Sequence, residues 1–242
     1  MDKYYLFFLL ALVSEIIGTV SGFGSSILFV PVASFFFDFK TVLGVTAVFH
    51  VFSNLSKIFL FRKGIDKNIA VKLGVPAVLF VIAGALLTNY IPQKQISFMM
   101  DIVLIVLAVL LIYFFNKKLP ANNTNLVAGG SISGFLAGLI GTGGAIRGLT
   151  MAAFNLEKEV FVATSALIDL GVDTSRAVIY IINGYFLWQH IYLIPFLIVI
   201  SIAGSWIGKL ILQRTSQLVF RYLVLAVIII TSAIQLVKYF RQ

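Results

Sequence analysis

Two apolar stretches of the chain each carry three polar side chains at the spacing i, i+4 and i+7. They are His50, Asn54 and Lys57 in the first stretch and Asp169, Asp173 and Arg176 in the second. Residues at this spacing share one face of a helix. Charged groups in apolar surroundings need a partner or water. The two stripes therefore predict a polar binding site or structural ion pairs, such as Arg176 with Asp173 or Asp169.

Two glycine loops interrupt apolar runs, Ser21-Gly22-Phe23-Gly24-Ser25-Ser26 and Gly141-Thr142-Gly143-Gly144. Glycine breaks a helix and lets a ligand approach the main chain closely. A half-helix that begins after each loop would direct free N–H groups and the positive end of its dipole into the loop. Two such ends together form an anion site without any basic side chain. Close helix packing through small residues is the alternative interpretation.

The composition excludes a soluble protein. Of the 242 residues, 60% are apolar and 11% are charged, whereas a soluble domain is usually about a quarter charged. Such a chain would expose large apolar patches in water, so its solvent is a lipid bilayer. The net charge of +9 lies mostly beside apolar runs, which is typical of membrane topology signals and not of nucleic-acid binding. With no cysteine, two histidines and no hydrolase motif, we expect no enzyme, no metal and no cofactor.

Further ionisable residues belong to the membrane-embedded part. Arg147 lies three residues after Gly144, so its guanidinium could grip an anion or pair with Glu15 or an aspartate. Lys57 could serve the site or snorkel to the membrane surface, and we expect Asp101 to reach that surface. Buried acids and histidines often carry protons in membrane proteins. The candidates for this role are Glu15, His50, Asp169 and Asp173.

The apolar runs occur twice in the same order. They cover Tyr4–Val20, Ile27–Phe37, Val42–Phe61, Ile69–Tyr90, Ile96–Phe115, Leu126–Ile140, Ala145–Phe154, Val160–Ile182, Ile191–Leu212 and Leu218–Tyr239. A polar linker at residues 119–125 separates a first repeat, 1–118, from a second, 126–242. A shift of about 120 residues superimposes the loops and nearly superimposes the stripes. We predict an all-α polytopic membrane protein of about eight helical segments in two homologous four-segment repeats.

The first segment of each repeat is broken at its glycine loop, which leaves two topologies open. The 34 residues from Tyr4 to Phe37 would measure roughly 50 Å as one helix, too long for one upright crossing. A single broken, tilted crossing gives parallel repeats, and a re-entrant hairpin gives inverted repeats. Positive charges at Arg62–Lys72 and Lys117/Lys118 fit both. The hairpin is slightly favoured, because half-helices can place irregular backbone inside the protein.

Short motifs follow both loops. Pro31 and Gly44-Val45-Thr46-Ala47 come after the first loop, and Ala163-Thr164-Ser165 comes after the second. Together with the loops, these motifs resemble the TauE/SafE sulfite exporter family over essentially the whole chain. The resemblance implies a bacterial or archaeal inner-membrane protein that moves small anions, often sulfite or organosulfonates. It also implies a site lined by Gly24, Ser25, Gly143 and Gly144, with Thr46 and Ser165 nearby.

Two departures from the family pattern concern the substrate more than the fold. The first loop is poorer in glycine than in many members, and Met151 stands where a second proline is often seen.

We therefore expect a secondary transporter that moves a small anion, such as sulfite, a sulfonate or a related organosulfur oxyanion, across the inner membrane by alternating access. Proton coupling is left open. The alternatives are a passive anion channel and a non-transporting membrane scaffold subunit. The expected site is formed by Gly24, Ser25, Ser26, Thr46, Asn54, Lys57, Gly143, Gly144, Arg147, Ser165, Asp173 and Arg176. The expected partners are the anion and membrane lipid; a homodimer stays open, and nucleic acid is not expected.

Overall fold

The computed structural model describes residues 2–61, 64–113, 120–186, 188–214 and 216. Nine α-helices and one 3-10 helix, Trp188–His190, lie in these ranges, and no β-strand does. The α-helices are α1 Asp2–Ser21, α2 Ser26–Ala33, α3 Phe39–Leu60, α4 Lys67–Leu87, α5 Gln93–Tyr113, α6 Asn123–Ile140, α7 Gly144–Ala152, α8 Lys158–Ile182 and α9 Leu193–Arg214. The predictions for Arg62, Lys117, Lys118 and Leu218–Tyr239 lie outside the described residues.

Five of these helices are long and apolar enough to cross a membrane: Tyr4–Ser21 within α1, all of α3 and α4, Gln93–Leu110 within α5, and all of α9. Their outer faces expose large apolar side chains such as Leu79, Phe196 and Val199. Such an apolar surface is compatible with lipid, and the backbone polar groups in the middle of each helix are paired within that helix. The predicted all-α polytopic membrane protein is confirmed.

Both glycine loops are the tips of helical hairpins. The ring of Phe7, near the start of α1, contacts Phe36 and Phe37, which follow α2, at centroid distances of 5.5 and 5.2 Å. Helix α2 therefore returns along α1. In the same way, α7 returns along α6, because the side chain of Thr150 fills the space next to Gly129. The chain therefore forms a hairpin and not a single broken crossing at each loop. That the two halves are homologous repeats stays a prediction.

Each hairpin packs against a long helix of the other half of the chain. Helix α1 runs parallel to α9, since Tyr4 contacts the ring of Tyr192 at 5.9 Å and Glu15 further along contacts Gly204. Helix α6 runs parallel to α4 in a backbone-to-backbone contact. There a Cβ atom at Gly134 would overlap the carbonyl of Ala77. Small residues of this kind let membrane helices approach closely.

The two polar stripes meet because α3 and α8 pack antiparallel at the centre of the molecule. Asn54 of α3 lies against Asp173 of α8, and His50 lies against Arg176. Asp38 caps the start of α3 by accepting a hydrogen bond from the Thr41 amide at 3.2 Å. Helix α3 thus begins at a defined residue, so the positions of the stripe residues along the helix are defined from its start.

Candidate functional site

A small closed cavity lies where the hairpin tips meet the stripes of α3 and α8. Its lining comes from both loops and from α2, α3, α6, α7 and α8. The lining residues are Gly24, Ser25, Ser26, His50, Ser53, Asn54, Lys57, Ala137, Gly141, Gly143, Gly144, Arg147, Asp169, Val172, Asp173 and Arg176. The cavity volume is about 10 Å³, which is the room that a single water molecule needs. The polar groups of the lining are therefore packed close together in this conformation.

Most of the residues predicted from the sequence line this cavity. Among the expected binding residues they are Gly24, Ser25, Ser26, Asn54, Lys57, Gly143, Gly144, Arg147, Asp173 and Arg176, and among the expected proton carriers they are His50 and Asp169. Glu15 and Ser165 lie behind the lining, where they bond Ser25 and Arg147. Thr46 is buried, and its hydroxyl has no hydrogen-bond partner among the described residues. The roles of all these residues stay predictions.

The starts of the two half-helices face the cavity. Helix α2 begins at Ser26 and α7 at Gly144, and no side chain in the described structure caps either start. The first amides of both helices and the positive ends of both dipoles are thus available to an anion. Gly24 has a φ of +84° and Gly141 a φ of +82°, a left-handed conformation that glycine adopts without strain.

Three buried ion pairs surround the cavity in the described residues. Arg176 Nη2 lies 2.6 Å from Asp173 Oδ1, Lys57 Nζ lies 2.9 Å from Glu15 Oε1, and Arg147 bonds Asp169. Lys57 is only 4% exposed, so snorkelling is not what it does in this structure. Arg147 pairs with an aspartate and not with Glu15. Three positive and three negative groups cancel, which lowers the cost of burying each of them.

Arg176 holds the end of α6 as well as its aspartate. Its Nε donates to Asp173 at 2.7 Å, and its Nη1 donates to the carbonyl oxygens of Gly141 at 2.7 Å and Ala137 at 3.2 Å. Its Nη2 lies 3.3 Å from His50 Nδ1. Because carbonyls at a helix C-terminus carry partial negative charge, the guanidinium fits this position. The side chain is 1% exposed.

Arg147 joins the second hairpin to the tip of the first. Its Nε donates to Ser165 Oγ at 3.0 Å and its Nη2 to the Phe23 carbonyl at 3.2 Å. Ser165 in turn donates to the Gly22 carbonyl at 2.9 Å. A movement of the first hairpin tip would therefore displace the guanidinium of Arg147 on the second hairpin.

Glu15 is the centre of a hydrogen-bonded cluster that the sequence did not reveal. Its carboxylate accepts from Ser25 and Ser53 at 2.7 Å each, from Ser205 at 2.9 Å and from Thr19 at 3.3 Å, besides pairing with Lys57. Ser53 lies four residues before Lys57 and could have been added to the α3 stripe. Ser205 lies on α9, where Ser201, Ser205 and Lys209 recur at the spacing i, i+4 and i+8. This spacing does not name a partner, so only the packing of α1 on α9 shows that Ser205 bonds Glu15.

Asp101 corrects one expectation. It was expected at the membrane surface, but it is 2% exposed, and its Oδ1 has no hydrogen-bond partner in the part of the chain that the structure describes. It lies on α5 and does not line the cavity. The apolar face of α5 packs inward, and Asp101 belongs to that face, which is why a position eight residues after the helix start is buried.

Helices long and apolar enough to cross a membrane, two helical hairpins with glycine tips and a polar cavity between them define a polytopic membrane protein with the architecture of a transporter. The family model for the sulfite exporter TauE/SafE matches residues 6–235, and the chain belongs to this family. A relative from Methanocaldococcus jannaschii carries the name "Probable membrane transporter protein". It is 28% identical over 181 residues, and the alignment covers 67% of each chain. The predicted family is confirmed, and the chain is a multi-pass membrane transporter protein.

Proposed function

We propose that this protein is a secondary transporter that binds a small oxyanion in the cavity and carries it across the inner (plasma) membrane by alternating access. The observation that carries the proposal is the meeting of two uncapped half-helix starts with Lys57, Arg147 and Arg176 around one cavity. Amides at a helix start and guanidinium groups both bind oxyanions. The family's description names sulfite, which supports a sulfur oxyanion, such as sulfite or a sulfonate, as the proposed substrate class.

Alternating access is supported by the contacts of the hairpin tips. Gly22, at the first tip, packs against the ring of Phe161 near the start of α8. Gly141, at the second tip, packs against Leu43 and Val30. Phe161 lies near the start of α8 and Leu43 near the start of α3, and α3 and α8 are antiparallel. The two hairpins therefore run in opposite directions, and these apolar contacts close the cavity toward opposite ends of the molecule. A transporter opens one such contact at a time, whereas a channel opens both.

The internal ion pairs set the condition for binding. Every cation at the cavity already has a carboxylate partner, so an anion must compete with that carboxylate. Neutralising one carboxylate with a proton removes the competition. This favours coupling to protons, with Glu15, His50, Asp169 and Asp173 as the groups available to carry them.

Thermal-shift binding on the detergent-purified protein tests the proposal. The probes are sulfite, sulfate, thiosulfate, taurine and sulfoacetate, since a ligand that binds the folded state raises its melting temperature. The non-binding variant is Arg147→Gln/Asp169→Asn, which removes one cation and its partner together. The matched control is Lys209→Gln, whose lysine bonds the Leu60 carbonyl outside the cavity.

We expect one or more sulfur oxyanions to stabilise the wild type and the control but not the double variant. In proteoliposomes the same anion should give saturable flux. Unitary currents would instead favour the passive channel. If no probe gives flux and other subunits co-purify with the protein, the result would favour the non-transporting scaffold.

A further inference from the structure

We propose that Glu15 is the proton-binding group of the transport cycle, that His50 and Ser25 carry the proton to it from the cavity, and that protonated Glu15 releases Lys57 to bind the anion. This inference rests on the proposed function and assigns separate places to the two transported species. The anion occupies the cavity, whereas Glu15 is fully buried behind it and is reached only through hydrogen bonds.

The hydrogen bonds between the cavity and Glu15 have a fixed direction. Ser25 Oγ lies 2.7 Å from Glu15 Oε2 and 2.9 Å from His50 Nε2. An ionised carboxylate only accepts, so the single hydroxyl hydrogen of Ser25 points to Glu15. His50 Nε2 must then carry the hydrogen that Ser25 Oγ accepts.

The other ring nitrogen gives the same tautomer independently. His50 Nδ1 lies 3.3 Å from Nη2 of Arg176, and a guanidinium can only donate. Nδ1 is therefore the unprotonated nitrogen, and His50 is neutral with its hydrogen on Nε2. This chain of donors runs from Arg176 through His50 and Ser25 to Glu15 without a break.

The Arg176 Nη2–H occupies the lone pair of Nδ1, so a proton from the cavity binds Nδ1 once Arg176 has moved off that nitrogen, and it can then pass along this chain. The Nε2 hydrogen moves to Ser25 Oγ, and the Ser25 hydrogen moves to Glu15 Oε2. One proton has then been added to the protein. Glu15 is neutral, Ser25 is again a hydroxyl, and His50 is again neutral but carries its hydrogen on Nδ1. The same steps in reverse return the proton.

This transfer changes both cations that contact the chain. Lys57, which lines the cavity, loses the charge of its partner Glu15. Arg176 loses an acceptor, because Nδ1–H and Nη2–H would now face each other. Before transfer, the three positive and three negative groups of the described cluster cancel. Afterwards the cluster carries one extra positive charge, which attracts an anion and offsets one of its negative charges.

Glu15 fits this role better than the two aspartates of the cavity. All three carboxylates are held by a cation, so the proton path and not the pairing decides between them. Asp173 reaches His50 only through Arg176, whose guanidinium donates hydrogen bonds but does not give up a proton. The hydrogen bonds of the described residues do not link Asp169 to His50.

The groups that face Glu15 and His50 come from every packed element. Around Glu15 they are Thr19 of α1, Ser25 before α2, Ser53 and Lys57 of α3 and Ser205 of α9. Around His50 they are Ser25 and Arg176. The remaining charged residues of the lining, Arg147, Asp169 and Asp173, are already paired.

The first test compares anion affinity and proton uptake in the wild type and in Glu15→Gln. Sulfate, thiosulfate and sulfoacetate are the probes, because each keeps its charge between about pH 5.5 and about pH 8. In the wild type we expect affinity to rise by up to about tenfold per unit fall in pH, with about one proton taken up per anion. In Glu15→Gln, the neutral side chain should make affinity independent of pH and abolish the proton uptake.

A buried acid outside the cluster provides the matched control. Asp101→Asn also neutralises a membrane-buried carboxylate, and we expect it to keep the wild-type pH dependence. Pronounced pH dependence in Glu15→Gln, or its loss in Asp101→Asn, would overturn the assignment.

The second test cuts the proton path without changing any charge. Ser25→Ala and Ser205→Ala each remove one hydroxyl that donates to Glu15, at 2.7 and 2.9 Å, but only Ser25 bridges to His50. We expect Ser25→Ala to slow uptake driven by a pH gradient about tenfold or more, while its equilibrium affinity keeps its pH dependence. Ser205→Ala should change the rate less than about threefold. Equal slowing in both variants would refute the path, and this pair decides the question if Glu15→Gln does not fold.

The two proposals fail in different ways. If no probe binds or moves in the wild type, the proposed function is wrong, and the proton assignment falls with it. If the wild type transports the anion but shows no proton uptake and no response to a pH gradient, the transporter stands and the assignment to Glu15 is wrong.

Discussion

Replacing Arg176 by glutamine separates the structural and the ligand-binding roles of this guanidinium. The single variant Arg176→Gln leaves Asp173 buried with only the 2.7 Å hydrogen bond from Asn54. The double variant Asp173→Asn/Arg176→Gln removes both charges and keeps two hydrogen-bonding side chains, of which the glutamine is shorter than the arginine. The comparison measures what the stranded carboxylate costs.

The expected magnitude follows from the burial of the pair. Arg176 is 1% exposed and Asp173 is 5% exposed, and removing one partner of such a buried pair costs about 3–5 kcal/mol. Replacing both partners by neutral groups costs much less, about 1 kcal/mol, because no charge is left unpaired. At about 2–4 °C per kcal/mol for a chain of this size, the single variant should unfold roughly 10 °C below the wild type. The double variant should unfold within about 4 °C of it.

Thermal unfolding in detergent, followed by intrinsic tryptophan fluorescence, measures both variants. A double variant that unfolds as early as Arg176→Gln would refute the reasoning. The bonds from Arg176 to the Gly141 and Ala137 carbonyls would then matter more than the ion pair. If the double variant is stable, a loss of anion binding can be assigned to the removal of the Asp173–Arg176 pair and not to unfolding.

Two glycine substitutions test the packing of the fold and of the site. Gly134→Ala places a methyl group on a backbone carbonyl of α4 and should cost about 1–3 kcal/mol, seen as a lower melting temperature. Its control, Gly171→Ala, meets only the movable Val78 side chain at 3.0 Å, so an equal loss would contradict the packing. Gly24→Ala strains a residue with φ +84° beside the cavity, which costs about 1–2 kcal/mol and should weaken anion binding about tenfold. Gly184→Ala, with φ +73° and open space around it, carries the same strain elsewhere, and weaker binding there would point to a general loss of stability.

The helices could be predicted from the sequence because their signals are local. The apolar runs are long, the loops between them are short, and glycine or a capping side chain marks many of the ends. The prediction of a half-helix after each loop agrees with α2 at Ser26 and α7 at Gly144. The sequence could not decide between a hairpin and a single crossing at each glycine loop. Both topologies place the same residues in helices, and both put the positively charged loops on one side of the membrane.

The sequence could predict which site residues share one face of a helix. It could not predict which residues of other helices contact them. Spacing placed His50, Asn54 and Lys57 on one face of α3. It could not say that Lys57 pairs with Glu15 or that Ser205 joins them, because these three residues lie on three different helices. Asp101 was misplaced for the same reason, since position along a helix does not tell which face packs inward.

By itself, the sequence determined the solvent, the helices and the chemical types available to the site. These follow from composition and spacing, which act within one segment of the chain. The tertiary structure alone decided that the hairpins run in opposite directions, that α3 and α8 cross antiparallel, and that each cation finds one particular carboxylate. The pair of Lys57 and Glu15 depends on a distance of 2.9 Å between side chains of two helices that are far apart in sequence, and only the packed helices fix that distance.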